Sequence, residues 1–168
     1  MTTYNIAIMV RNEYGVLNRV TSMFRRRQFN ILSLTVSETE TERLSRITVQ
    51  YEGEERSKRQ LVAQLAKLPD VISWKEFDPE DSISCELLLI KMANRNETRS
   101  QVLDAADAFR AKIVDYTRDS IVFRIAGGSR RIDNFVDLMR DFEILEVCRT
   151  GVVSLERGPS VMRDVANV

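Results

Sequence analysis

The side chains best suited to bind a ligand lie in the stretch RNEYGVLNRVTSMFRRRQFNI, residues 11–31. The pattern predicts a strand and then a helix, with Asn12 and Gly15 in the turn between them. The backbone N–H groups of Gly15, Val16 and Leu17 would stand at the helix N-terminus, where they lack intrahelical acceptors and attract a small anion such as a carboxylate. The amide of Asn12 can accept a hydrogen bond from an ammonium group and donate one to a carboxylate. This combination predicts a site for a zwitterion.

Asn30 follows the predicted helix, at the end opposite Gly15. The helix separates the two residues by about 20 Å, so one small ligand cannot reach both within one chain. In a two-fold dimer, Asn30 of one protomer could approach the Gly15 loop of the other, which would place an amino acid at a subunit interface. A second interpretation stays open, because Asn is also favoured in turns and at helix C-caps, and Asn12 and Asn30 could serve only there.

Catalytic chemistry has little support in the sequence. The chain contains no histidine, which excludes Ser-His-Asp and Cys-His nucleophile systems and HExxH zinc sites. No acid, base and nucleophile cluster in the pattern, so an independent enzyme is disfavoured. The two cysteines, Cys85 and Cys148, each lie in an apolar strand-like run, which predicts buried free thiols rather than a disulfide or a metal site.

The composition is that of a soluble globular protein. The chain has 168 residues, of which 43% are apolar and 30% are charged, and 25 basic residues balance 25 acidic ones. This balance removes the bulk attraction that drives binding to nucleic acid or to anionic membranes, so neither partner is predicted. The sequence has no apolar run long enough to span a membrane and no signal peptide, which predicts a cytoplasmic location.

Hydrophobic periodicity predicts the same order of elements twice. In the first half, strands are predicted at 4–10, 29–37, 44–51 and 71–77, with helices at 15–27 and 55–67. The acidic stretch DPEDS at 78–82 has no apolar anchor and predicts a linker. In the second half, strands are predicted at 85–92, 112–117, 120–126 and 146–156, the last bent at Gly151, with helices at 97–111 and 129–142.

Each half therefore has the order β-α-β-β-α-β, which predicts an α+β protein with two ferredoxin-like domains. The predicted boundaries are a first domain at 1–78, a linker at 79–83, a second domain at 84–158 and a tail at 159–168. The tail lacks periodicity and is expected to be exposed or to dock on a partner. Helices cover only one face of such a sheet, and apolar side chains on the other face predict a homodimer.

Two basic stretches have competing interpretations. AGGSRR at 126–131 contains glycines like a phosphate loop but lacks the Walker spacing, so a strand-to-helix turn with Ser129 as N-cap is favoured. The three arginines at 25–27 could contact phosphate or an acidic partner, although a solvated helix end explains them as well.

An RNA-binding sheet is the second alternative, since RRM domains share this topology. Phe29, Tyr51 and Trp74 supply aromatic side chains on predicted strands. The absence of an RNP1-like pattern in SRITVQYE and the zero net charge count against this interpretation.

A more specific signature starts at Asn12. This residue stands three before Gly15 in Gly-Val-Leu, an Arg follows two residues later, and the run 29–36 reads aromatic-Asn-Ile-x-Ser-Leu-Thr-Val. The pattern resembles the N-terminal ACT domain of the regulatory small subunit of acetolactate synthase, also called acetohydroxyacid synthase. The similarity continues through RTGVVSLERG at 149–158, so it spans nearly the whole chain. Leu32 departs from the family, which usually has an acidic residue there.

The resemblance implies a non-catalytic subunit whose residues 1–78 form an ACT domain that dimerises. It implies a large catalytic subunit as partner, whose activity the small subunit raises and makes sensitive to feedback inhibition by a branched-chain amino acid, usually valine. No cofactor is expected in this chain, whereas thiamine diphosphate, Mg²⁺ and FAD are expected in the catalytic partner. A stand-alone amino-acid-sensing or RNA-binding module without an enzyme partner is the alternative.

The resemblance also implies which residues hold the effector. One protomer would contribute the turn and the first helical residues, and the other would contribute the residues after the helix. The effector-binding set carried over in this way is Asn12, Gly15, Val16 and Leu17 from one protomer and Asn30 and Ile31 from the other.

Overall fold

The computed structural model describes residues 2–162, with Ser57 described by its backbone alone. The first elements along the chain are β1 (Thr2–Arg11), α1 (Val16–Arg26), β2 (Asn30–Glu38), β3 (Leu44–Gly53), α2 (Glu55–Leu65) and β4 (Val71–Glu76). They are followed by β5 (Ser82–Ala93), α3 (Arg99–Ala108), β6 (Lys112–Tyr116), β7 (Ser120–Gly127), α4 (Ser129–Met139), β8 (Ile144–Arg149) and β9 (Val153–Glu156). Two antiparallel sheets with two helices each confirm the predicted fold class.

The chain divides into two compact units, and the first of them combines an N-terminal and a C-terminal stretch of the chain. The first unit consists of residues 2–84 together with 152–162, and the second consists of residues 85–151. The strand predicted at 146–156 is broken at Gly151, whose φ of 85° ends β8 before β9 begins. The segment 152–158, which the sequence groups with the second domain, therefore belongs to the first unit in the structure.

The first sheet has the strand order β2-β3-β1-β4. Alternation along β1 sends Ile6 and Ile8 toward the helices, and both are fully buried. In α1, the buried side chains recur at helical spacing and face the same core, at Val16, Val20, Met23 and Phe24. The core therefore lies between the sheet and the helix pair, as the periodicity predicts.

An aromatic cluster packs at the junction between α1 and β2. Phe24 packs edge-on against Phe29 and Tyr51, with ring centroids 6.0 and 6.1 Å apart. Gln28 has a φ of 58°, and the N–H groups of Gln28 and Phe29 donate to the carbonyls of Arg25 and Phe24 at 3.1 Å each. This is a Schellman C-cap with its hydrophobic contact. Asn30 is thus the first residue of β2 and not a helix C-cap.

The same cluster bears on the RNA-binding alternative. Tyr51 is 1% exposed, and Phe29 packs against it with a ring centroid distance of 5.7 Å. These rings lie under the helices, whereas an RNA-binding sheet presents its aromatic side chains to unstacked bases. Neither ring can therefore serve as a stacking platform.

Residues 152–162, called the C-terminal segment below, cover the face of the first sheet that points away from the helices. Met162 is 7% exposed and forms a cluster with Ala7, Met9 and Phe77. The hydrogen bonds that attach the segment through a side chain include Asn5 to Ser154, Ser84 with Ser154, Arg46 to the carbonyl of Ser154, Lys75 to Glu156, Ser73 to the carbonyl of Met162 and the N–H of Val152 to Ser33. Residues 159–162 of the predicted tail therefore dock on their own chain, and the rest of the tail lies outside the described residues.

The ion pair between Lys75 and Glu156 makes this docking sensitive to pH. The hydrogen bond from Lys75, and a further one from Ser160, hold the pKa of Glu156 below its usual range. A carboxyl whose pKa is lowered on docking supports the docked form above its usual pKa and loses that support as the pH falls through the lowered value. Acid should therefore loosen the segment.

We predict that Glu156→Gln reduces the protection of the segment from hydrogen exchange at neutral pH and removes its further loss of protection in acid. The N–H of Arg157, which donates to the carbonyl of Asp81 at 2.8 Å, is a suitable reporter. The matched control is Glu146→Gln, because Glu146 forms an exposed pair with Lys91 at 3.6 Å in the second unit. Equal protection in the Glu156→Gln chain and the unaltered chain would contradict the prediction.

The second sheet has the strand order β6-β7-β5-β8, with β9 paired to β5 outside this path. Leu88 and Ile90 of β5 and Phe123 of β7 are fully buried beneath α3 and α4. Cys85 is partly buried and Cys148 is exposed, and both thiols are free. The predicted burial of Cys148 is wrong because its register partner is Leu89, which lies on the face that α3 and α4 leave uncovered.

The predicted N-cap at Ser129 is also wrong. Gly128 precedes α4 in extended conformation and makes no side-chain cap. The hydroxyl of Ser129 instead donates to the buried carboxylate of Glu86, which also pairs with Arg149. A carboxylate of the chain itself thus already lies at the start of α4, which removes the remaining support for a phosphate loop at 126–131.

The helices are short. α1, α2 and α4 have 11 residues each, whereas a membrane-spanning helix needs about 20. Within the part of the chain that the structure describes, no helix is long and apolar enough to cross a membrane.

Candidate functional site

The turn between β1 and α1 presents backbone donors at its surface. Gly15 has a φ of 80°, which places it in the left-handed region, and it stands directly before α1. Glycine adopts this conformation without the steric cost that a Cβ adds. The turn is closed by a long hydrogen bond of 3.3 Å from the N–H of Val16 to the carbonyl of Glu13.

The predicted donors of the turn thus differ in availability. The N–H of Val16 is engaged in the turn, and its side chain is 3% exposed and packs in the core. The first intrahelical hydrogen bond runs from Arg19 to the carbonyl of Gly15. The N–H groups of Gly15, Leu17 and Asn18 have no intrahelical acceptor and remain for a ligand.

A guanidinium reinforces the positive end of α1. A Cβ added to Gly15 would lie 3.2 Å from Nη1 of Arg19, so this group lies beside the turn. Nε of Arg19 donates to Oδ2 of the buried Asp70 at 2.6 Å. The hydrogen bond with Asp70 raises the pKa of Arg19, so the guanidinium is held in place and charged. Helix donors and guanidinium together suit a carboxylate.

Negative charge lies on the other side of the same turn. Nδ2 of Asn12 donates to Oε1 of Glu38, the last residue of β2, at 3.2 Å. The backbone N–H of Asn12 donates to the carbonyl of Arg43 at 2.8 Å, which ties the turn to the connector between β2 and β3. The carbonyl oxygen of the Asn12 amide and the carboxylate of Glu38 can both accept from an ammonium group.

The turn therefore offers donors for a carboxylate and acceptors for an ammonium group within one chain. It is also open to solvent, because Tyr14 is fully exposed and Leu17 is 41% exposed. The turn can thus contact both charged groups of a zwitterion, but it has no wall that would enclose a ligand's side chain.

The other predicted site residues lie at the opposite end of α1. The helix has 11 residues, which corresponds to a length of about 16 Å. Asn30 is exposed at the start of β2, and Ile31 is partly buried against the first core. Within the chain the structure brings together Asn12, Gly15 and Leu17 but does not bring Asn30 or Ile31 to them.

Leu32, the residue that departs from the family pattern, lies at an irregularity of β2. The register with β3 shifts between Ile31 and Ser33, and Leu32 is 46% exposed. β2 is an edge strand of its sheet, and Val36 further along it is 41% exposed. An edge strand with exposed apolar side chains is a template for pairing with another chain.

Sequence reasoning did not assign Arg19 or Glu38 to the site. The position of Arg19 near Gly15 was predictable, because Arg19 follows Gly15 by four residues and residues with this spacing share one helix face. Glu38 carried none, since its approach to Asn12 depends on the return of β2 and β3 along the sheet.

Comparison with protein families gives matches to both halves of the chain. Residues 6–73 match the model of the AHAS small subunit-like ACT domain. Residues 85–158 match the model described as the small subunit of acetolactate synthase.

Curated relatives and a solved structure match over almost their full length. A probable acetolactate synthase small subunit of Archaeoglobus fulgidus is 43% identical, over 92% of this chain and 97% of the relative. The acetolactate synthase small subunit of Bacillus subtilis is 40% identical, over 91% and 90%. The crystal structure of an acetolactate synthase small subunit from Thermotoga maritima is 31% identical, has a TM-score of 0.88 and is similar over 95% of this chain and 100% of that one.

Proposed function

The chain belongs to the family of acetolactate synthase small subunits, and from this premise we propose that it is a regulatory subunit whose ACT domain binds valine. In this role it raises the activity of a catalytic partner and lets valine lower that activity again. The observation that carries the proposal is the paired charge at the start of α1, with Arg19 on one side of Gly15 and Glu38 on the other side of Asn12.

A dimer through β2 would complete the site. β2 is an edge strand of nine residues with Leu34 at its middle. A two-fold axis beside Leu34 would pair two copies of β2 antiparallel, so Asn30 of one protomer would lie beside the partner's Glu38. Because Glu38 contacts Asn12, the exposed Asn30 and the partly buried Ile31 would then close the open side of the partner's turn.

Selectivity for a branched-chain amino acid follows from the apolar residues around such a joint site. Leu17 and Leu32 are exposed in one protomer and would be available to contact the ligand's side chain or the partner. An apolar pocket distinguishes side chains that differ by one methylene by only about 1–3 kcal/mol. Leucine and isoleucine are therefore expected to act as weaker effectors than valine.

Regulation requires valine to bind two states of the dimer with different affinity. A coupling free energy on the order of 1–3 kcal/mol is enough to change the activity of the partner several-fold to about a hundredfold. The partner in this proposal is the large catalytic subunit of acetolactate synthase, which would carry thiamine diphosphate, Mg²⁺ and FAD. The chain itself would hold none of these and would act in the cytoplasm.

The experiment that tests the proposal is acetolactate formation by the catalytic subunit from the same source, titrated with this chain. We expect the rate to rise with added chain until the partner is saturated, and millimolar valine to reverse the rise. Activation without valine sensitivity would overturn the effector site, and no activation at all would favour a stand-alone sensor.

Mixed dimers test whether the site is shared between protomers. We predict that Asn12→Ala and Asn30→Ala each abolish valine inhibition in homodimers, because every site then lacks one of its amides. Mixing the two variants should restore about half of the sites in each heterodimer, since one site then retains both asparagines. The measurement is valine inhibition of acetolactate formation with heterodimers purified through two different tags. Heterodimers as insensitive to valine as either homodimer would contradict a shared site.

A further inference from the structure

A cavity of about 180 Å³ lies in the first unit, between the outer face of its sheet and the C-terminal segment. Met9 and Phe77 of the sheet side and Met162 of the segment give it an apolar wall. Pockets for drug-sized ligands measure about 300–1,000 Å³, so this cavity suits a small metabolite. None of its lining residues belongs to the set proposed to bind the effector at the Gly15 turn.

Arg46 lines this cavity. Its side chain is partly buried, its guanidinium lies 5.5 Å from the centroid of the Phe77 ring, and it donates to the carbonyl of Ser154. Burial lowers the pKa of Arg46, and the charge of Glu40 opposes this shift only in part. Among residues 2–162 no carboxylate lies in ion-pair contact with Arg46. Because a desolvated cation without a counter-ion is unfavourable, this position favours an anionic ligand group.

Glu40 lines the same cavity with the opposite charge. It lies in the exposed connector between β2 and β3 and, in the described part of the chain, forms no ion pair. The other two charges at the cavity, Lys75 and Glu156, neutralise each other in an ion pair. Arg46 and Glu40 therefore remain as one positive and one negative group beside an apolar wall.

We propose that this cavity is a second small-molecule site, which binds an apolar α-amino acid with its carboxylate on Arg46 and its ammonium group on Glu40. The side chain of the ligand contacts Met9, Phe77 and Met162. The site is complete within one protomer and goes beyond the proposed site at the dimer interface. Because Ser160 and Met162 belong to the C-terminal segment, a bound amino acid also holds the segment on the sheet.

Calorimetric titration of the full-length dimer with valine separates the two sites. The Gly15→Asp chain removes the site at α1, and the Arg46→Gln chain removes the cavity site. We expect each single variant to retain one valine per chain and the double variant to retain none. Arg56→Gln is the matched control, because Arg56 is an exposed arginine on α2 that does not line the cavity.

The ligand's two charged groups can be tested one at a time in the Gly15→Asp chain. 3-Methylbutanoate keeps the carboxylate and side chain of valine, and 2-methylpropylamine keeps the ammonium group. Glu40→Gln changes an exposed side chain and should weaken the binding of valine at least about tenfold, while the binding of 3-methylbutanoate stays unchanged. Arg46→Gln should weaken the binding of valine and of 3-methylbutanoate.

The outcomes that overturn the inference differ from those that overturn the interface site. If the Gly15→Asp chain binds no valine, or binds it equally well with Arg46→Gln added, the cavity is not an amino-acid site. If the Gly15→Asp change leaves valine binding at its original stoichiometry, the interface site fails instead. If Arg46→Gln prevents folding, Glu40→Gln in the Gly15→Asp chain is the test of the cavity. An unchanged valine affinity in that variant would contradict the inference.

Discussion

The Gly15→Asp chain is expected to activate the catalytic subunit normally while valine no longer inhibits the complex. The new carboxylate would lie beside Nη1 of Arg19, since a Cβ at this position is 3.2 Å from that atom. It would occupy the place of the effector's own carboxylate and repel it. Two like charges 4 Å apart near a protein surface cost about 4 kcal/mol, which weakens binding roughly a thousandfold. The measurement is the valine concentration that halves acetolactate formation.

Gly15→Asn is the matched control for this variant. Asn has the size of Asp, carries no charge and tolerates the left-handed backbone that a φ of 80° requires. We expect the Asn chain to retain valine inhibition at a higher effector concentration. If Asp and Asn shift the half-inhibiting valine concentration equally, backbone strain and not charge is responsible, and the carboxylate assignment is wrong.

Arg149→Gln is expected to cause a large loss of stability in the second unit. The Glu86 side chain is 2% exposed and pairs with Arg149, which also contacts Asp133 at 2.7 Å. Removing one partner of a buried pair costs about 3–5 kcal/mol, because the other charge stays buried without compensation. Arg149 is 34% exposed, so we expect the lower end, about 3 kcal/mol. Urea unfolding of the full-length protein measures the free energy of unfolding.

A double variant identifies the cause of this loss. Without Arg149, the carboxylate of Glu86 would stay buried without a counter-ion. The double variant Glu86→Gln with Arg149→Gln removes that uncompensated charge and should therefore lose less stability than the single variant. An equal or larger loss in the double variant would contradict this explanation.

Local patterns predicted what local interactions determine. The spacing of Val16, Val20 and Phe24 identified α1 and its buried face, because helical periodicity is a property of neighbouring residues. The turn at Gly15 was predictable for the same reason. Asn30 was placed correctly after the helix, although the residue that takes the left-handed cap is Gln28 and not an asparagine.

Long-range contacts account for the predictions that failed. Ser129 has the local signature of an N-cap, but its hydroxyl bonds to Glu86, 43 residues earlier in the chain. Cys148 sits in an apolar run, yet only the register with Leu89 determines that it faces the uncovered side. The C-terminal segment has no periodicity, and the apolar partners of Met162 are Ala7, Met9 and Phe77, which lie more than 80 residues earlier in the chain.

The return of residues 152–162 to the first unit has a consequence for how the protein is made. Residues 85–151, which form the second unit, are translated between the two parts of the first. At about 5–20 residues per second, the ribosome needs several seconds for this stretch. During that interval the nascent first sheet lacks the cover over Met9 and Phe77. The N-terminal unit therefore reaches its final structure only after the second unit has been synthesised, and its uncovered face is a target for chaperones until then.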